Sequence, residues 1–344
     1  MNMPWPVHLP RNAKVALLAA ALLCGAAPLT AFAAGQPPGL PLTVVADVPL
    51  PGDTSRFDYE SYDPARHLLF IAHLGQSEIL VFDARAQRVI KTIGGARHVH
   101  GVLAIPELGR VYASATGTDE VVAIDVERLT EVARMPGGTY PDGMAYAPPA
   151  GKLYVSDETG ATETVIDVRS NRRIATIPLG GEAGNTQYDP VSRHIFVNVQ
   201  SRRQLVQIDP AADQVIARFD LPGAKGNHGL LIEPDLRLAF IACEDNDRLL
   251  VFDLATRQVR GSFEVGSGPD VLAYDAGLGL IYVASESGNL SMFKLVAGRV
   301  EKLADGLLAP NAHVVAVDPE THLVYFPIKN LGGRPVLRIM RPAP

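Results

Sequence analysis

The stretch that decides the fold runs from residue 143 to residue 180. It reads GMAYAP (143–148), a Pro-Ala-Gly turn, KLYVSD (152–157), TETVIDV (162–168) and RRIATIPLG (172–180). Each piece is short and rich in β-branched or aromatic residues. Each is bounded by Gly, Pro, Asn or Asp, the pattern of strands parted by tight turns. TETVIDV alternates polar with apolar residues, as a strand with one buried face does. No stretch of the chain longer than a turn shows convincing helical periodicity.

The unit repeats along the chain. A strand ending in Asp-Pro or a close variant occurs at YDP 62–64, AIP 104–106, YAP 146–148, YDP 188–190, IEP 232–234, YDA 274–276 and VDP 317–319. The ends step by 42, 42, 42, 44, 42 and 43 residues. A second marker, a hydrophobic residue followed by Asp, gives Asp83, Asp125, Asp167, Asp209 and Asp253, with steps of 42, 42, 42 and 44. Four strands per repeat at this period describe a propeller blade. The predicted fold is therefore all-β: a seven-bladed β-propeller of four-stranded antiparallel blades. The last repeat offers only HVVAVD (313–318), LVYFPI (323–328) and PVLRIM (335–340). LTVVADVPLPG (42–52) resembles the outer strand RRIATIPLGG (172–181), so an N-terminal strand is expected to close the last blade and remove an open edge.

Residues 1–33 read as a secretory signal. Arg11 and Lys14 precede the apolar run 15–29, and Ala31-Phe32-Ala33 supplies a small-x-small cleavage pattern. Residues 34–344 are then one propeller domain, periplasmic or secreted. Cys24 follows Leu23, where a lipoprotein signal wants a small residue. No later segment is long and apolar enough to span a bilayer. Removal of the signal leaves Cys243 alone, a residue expected in the core. Hydrophobic residues make up 47% and charged residues 20%, which excludes disorder. The net charge is −6 and no basic stripe is visible, so nucleic acid is an unlikely partner.

The second strands LYVSD (153–157), IFVNV (195–199), AFIAC (239–243) and IYVAS (281–285) are similar to the YVTN-type β-propeller repeat. The hydrophobic-Asp third strand matches too. The resemblance spans residues 42–341. It departs at Lys294, which replaces the third-strand Asp of blade six, and in blade seven, which has no such Asp. It implies a YncE-like exported protein that binds a small ligand, a metal or a protein at its channel face. Related propellers include lactonases and cofactor-bearing dehydrogenase subunits. No catalytic motif carries over.

Counting six residues back from each first-marker end gives one equivalent position per blade: Asp58, His100, Asp142, Gly184, His228, Asp270 and His313. Innermost strands line the axial channel, so these residues are expected to converge at one mouth, with Asn185 beside the gap at Gly184. Two readings compete. Histidine with carboxylate is a ligand set for zinc and other divalent metals, with His100, His228 and His313 as the expected ligands. Such a metal would support a hydrolase or lyase, lactonase-like in kind. Alternatively, Pro141-Asp142 and Pro269-Asp270 are ordinary turn chemistry. Neighbouring carboxylates are expected to favour charged histidines. His73, Asp157 and Cys243 are weaker candidates, His98 is expected to be solvated, and Arg56 is expected to pair with Glu60. His67, His194 and His322 are placed in exposed turns. P-loop, GxGxxG, GxSxG and CxxCH motifs are absent, and the sole Trp, Trp5, lies in the signal.

Overall fold

The aspartates that mark the repeat are turn residues. Asp63 Oδ1 accepts the backbone N–H of Ala65 (2.9 Å) and Arg66 (3.2 Å). Asp83 does the same for Arg85 (3.0 Å) and Ala86 (2.8 Å), and Asp253 for Ala255 (2.9 Å) and Thr256 (2.8 Å). A carboxylate that satisfies the chain two and three residues on reverses it without further help.

The computed structural model describes residues 39–343. The expected export segment, residues 1–33 with Cys24, lies outside the described residues. The turns join strands into seven four-stranded antiparallel sheets in a ring. Blade three shows the pattern, with Pro141–Ala147 innermost, then Lys152–Asp157, Thr162–Asp167 and Arg172–Pro178. Innermost strands contact their neighbours all round, and Glu60–Asp63 of blade one meets Ala316–Val317 of blade seven. Blade seven takes Leu42–Pro49 as its outermost strand, with Leu42 opposite Pro342 and Pro49 opposite Val336. Arg338 grips Asp47 through two bonds of 2.8 Å, locking that register.

The core lies between blades. Every second strand contributes a buried aromatic at the equivalent position: Phe70, Tyr112, Tyr154, Phe196, Phe240, Tyr282 and Tyr325. Truncating any of them to alanine is expected to cost about 3–5 kcal/mol. Among the described residues no helix is long and apolar enough to cross a membrane.

One irregularity positions the site. In blades two to six the register of the innermost strand shifts at its start, between Val99 and Val102, Pro141 and Met144, Ala183 and Thr186, Asn227 and Leu230, and Pro269 and Leu272. Each bulge contains the equivalent position and its successor. A bulge re-aims side chains out of the ladder. Successive bulges pass so close that a Cβ on Gly229 would sit 2.1 Å from the Asp270 carbonyl oxygen, and one on Gly101 2.2 Å from that of Asp142. Glycine is required there by close approach.

Candidate functional site

The six ionisable residues converge. His228 Nε2 lies 3.5 Å from Asp142 Oδ2 and 3.8 Å from Asp270 Oδ1. His313 Nε2 lies 4.0 Å from Asp270 Oδ2, and His100 Nε2 lies 3.7 Å from Asp58 Oδ2. All these contacts cross between blades. A cavity of about 670 Å³ opens beside them, lined by all of the six except His313.

The three histidines are held differently. The residue two before His100 and two before His313 adopts a left-handed backbone, with φ 46° at His98 and 59° at Asn311. Each presents its own carbonyl to the ring. His100 Nδ1–H donates to His98 O (2.9 Å) and His313 Nδ1–H to Asn311 O (3.1 Å). That fixes the tautomer and leaves both Nε2 lone pairs facing the mouth. The Tyr140 hydroxyl donates to His100 Nε2 (3.0 Å). His313 Nε2 has no partner and is buried. His228 runs the other way. The Gln200 amide donates to its Nδ1 (3.1 Å), its Nε2–H donates to the Tyr59 hydroxyl (3.0 Å), and Tyr59 donates to Asn185 Oδ1 (2.9 Å). Tyr59 thus crosses the channel from blade one to blades four and five. Asn185 fills the place beside Gly184 as the sequence suggested.

Six carboxylates line the cavity, those of Asp58, Asp142, Glu158, Glu244, Asp270 and Glu286, against one arginine, Arg56. Arg56 meets Glu286 at 2.5 Å and only reaches toward Asp58 (3.6 Å) and Asp270 (4.0 Å). The expected Arg56–Glu60 pair does not form. The Glu60 carboxylate is buried without a hydrogen-bond partner, because Arg56 is drawn to the denser negative charge at the mouth. Burial pushes Asp142 and Asp270 well above the usual carboxylate range and raises Asp58. Glu244 is raised to about 7, by burial and then by Glu286. Neighbouring carboxylates do favour the charged forms of His228 and His313, as expected, but burial outweighs them. Burial lowers His100 to about 4 and also lowers His228 and His313. Raised acids beside depressed imidazoles mark a desolvated pocket, where the charged form of either group is disfavoured.

Unsatisfied atoms point the same way. Asp58 Oδ2, Asp142 Oδ1, Asp270 Oδ1 and His313 Nε2 are buried without a hydrogen-bond partner. Among the described residues, two groups of three offer ligand atoms within 4.8 Å of one another, Asp58/Asp270/His313 and His228/Glu244/Asp270. The three histidines expected to share a metal are split by this geometry, and His100 belongs to neither group.

No protein-family model matches the chain, and no curated protein matches it. Solved structures do resemble it. A chain of Kuenenia stuttgartiensis hydrazine synthase has a TM-score of 0.71 at 15% identity, over 86% of this chain and 96% of that one. A chain of a mitotic checkpoint complex has a TM-score of 0.73 at 13% identity, over 96% and 99%. At these identities the likeness is one of fold alone.

The sequence reading missed Tyr59, Tyr140, Gln200, Glu158, Glu244 and Glu286. The last four had a legible signal. Residues 158, 200, 244 and 286 each follow a second strand, in the repeat's own register. The candidates one residue earlier face away from the mouth, as strand alternation demands. Asp157 accepts from Gly138 N (2.8 Å) and the Thr162 (2.7 Å) and Thr164 (2.8 Å) hydroxyls, and His73 stacks on Phe57 at 4.3 Å. Cys243 is buried in the core. His67, His194 and His322 are engaged with Tyr62, Gln207 and Asp275 far along their blades.

Proposed function

We propose that the channel mouth is a binding site for a divalent metal, held first by Asp58, Asp270 and His313. On this reading the protein is an exported, periplasmic YncE-like propeller of the YVTN type that presents the bound ion to a small ligand in the cavity. The observation that carries it is His313 Nε2, 1% exposed and without a hydrogen-bond partner, whose residue offers a ligand atom within 4.8 Å of one from Asp58 and one from Asp270. A buried polar atom without a partner costs about 1–3 kcal/mol, which a ligand would recover. Carboxylate with imidazole suits manganese or zinc. The test is metal content after equilibration with zinc or manganese and gel filtration. Stoichiometric metal is expected, and no retained metal in the wild-type protein sinks the reading.

A second reading, a metal-assisted hydrolase or lyase of lactonase-like kind, draws on the Tyr140–His100 pair beside Asp58. Those groups are placed to pass a proton to a ligand in the cavity. Metal-dependent turnover of a lactone panel, with kcat reduced in Tyr140→Phe at unchanged metal content, is the expected result. Full activity without metal would exclude it.

A further inference from the structure

We infer that the mouth holds two divalent ions bridged by Asp270, a proposal that rests on the metal reading above and extends it to a second site. The two ligand groups share Asp270 and no other residue. Its two oxygens face different partners. Oδ2 is 4.0 Å from His313 Nε2, and Oδ1 is 3.8 Å from His228 Nε2. A carboxylate that turns one oxygen to each of two ligand sets is the geometry of a bridging ligand between paired metals. The oxygen without a hydrogen-bond partner is Oδ1, on the His228 side, in a side chain only 6% exposed. The second set therefore has its own unmet demand, independent of His313.

Charge supports two ions rather than one. Six carboxylates and one arginine leave five uncompensated negative charges when all are ionised. One divalent ion leaves three, and two leave one. Arg56 does not obstruct the pair. Its short contact is with Glu286, and both side chains are about a third exposed, 36% and 35%. It can keep that partner while giving up the longer approaches to Asp58 and Asp270.

The two sites differ in strength. His313 offers a free lone pair. His228 is committed at Nδ1 to Gln200 and at Nε2 to Tyr59, so a metal must displace one of these bonds. The His313 side fills first and the His228 side second.

Calorimetric titration of metal-free protein with Mn²⁺ tests this, with electron paramagnetic resonance of the loaded sample. Two ions per chain are expected, bound in two steps, with an exchange-coupled spectrum. Glu244→Gln should abolish the weaker step and leave the tighter one. His313→Ala should lower the tighter affinity by at least tenfold, and Asp270→Asn should weaken both. A stoichiometry of one overturns the pair and leaves the single-metal reading standing. Two ions with uncoupled spectra overturn the bridge. No binding defeats both. Circular dichroism and a melt of each variant separate lost ligands from lost fold.

Discussion

Aspartates recur at both ends of the blades, and the two ends treat them oppositely. At the turns, Asp167 accepts the Ser170 hydroxyl and N–H at 2.7 Å each, and these bonds hold its carboxyl below the usual range. Asp253 is likewise lowered, by the Thr256 N–H. At the channel mouth, Asp142 and Asp270 repeat in the same register, yet burial raises them and each keeps an unpartnered oxygen. Turn chemistry therefore accounts for the first set and leaves the second unexplained. Repetition identifies a structural role only where the repeated group is satisfied by its own neighbourhood. An acid that repeats and stays unsatisfied awaits something from outside.

The largest effect should come from opening the ring. Deleting residues 42–51 strips the outer strand from blade seven and exposes an edge. The truncated protein is expected to aggregate or melt far lower, and to lose metal binding because the mouth needs every blade in place. An unchanged monomer melting like wild type would break the premise that both ends depend on closure.

Next comes a direct contrast of the two kinds of acid. Asp189 is buried and accepts Val191 N (3.1 Å), Ser192 N (3.2 Å) and the Arg237 guanidinium of the next blade (2.7 Å). Asp189→Ala should destabilise by about 2–3 kcal/mol, lowering the melting temperature by roughly 5 °C or more. Asp270→Asn should leave the metal-free protein as stable or more so, by about 1 kcal/mol, since burial disfavours the ionised carboxylate and an amide of the same shape cannot ionise. Excess Mn²⁺ should raise the melting temperature of wild type by more than that of Asp270→Asn. Equal destabilisation by both substitutions would erase the distinction.

The smallest effect concerns an acid at neither end. Glu163 is fully buried between blades three and four without a hydrogen-bond partner. The nearby Thr186 hydroxyl is directed to the Phe196 carbonyl (3.3 Å). Burial pushes the Glu163 carboxyl well above its ordinary 4.5. A raised carboxyl binds a proton more tightly folded than unfolded, so its contribution is fully present below pH 4.5 and is lost as pH climbs from there through the folded value. Glu163→Gln should thus melt a few degrees higher than wild type at pH 8 and equally at pH 4. A thermal melt series across that range decides it, and a gain at acid pH would contradict the assignment.

The repeat was legible because it is written in local chemistry. Asp63, Asp83 and Asp253 act on backbone two and three residues away, so their spacing alone implied turns, strands and seven blades. The ring Asp58, His100, Asp142, His228, Asp270 and His313 was legible for the same reason, since equivalence in a repeat places residues at equivalent points of a closed circle. Even Glu158, Glu244 and Glu286 lay in that register, but nothing in one strand tells which of two successive residues, Asp157 or Glu158, faces the axis.

The sequence by itself determined the strand pattern, the blade count, the clasp formed by Leu42–Pro49 and the convergence of the ring. Only the tertiary structure decided what the ring residues do. The tautomer of His228 depends on partners brought from far along the chain, and those of His100 and His313 on a carbonyl two residues away that a left-handed turn aims. Gln200 and Tyr59 hold His228, while the carbonyls of His98 and Asn311 aim His100 and His313. Protonation depends on burial, which overrode the charges of the neighbouring acids and left the histidines depressed. The split of three histidines into two ligand sets follows from cross-channel distances of a few ångströms. Periodicity fixes where a residue starts from, and packing across the axis fixes which atom it meets.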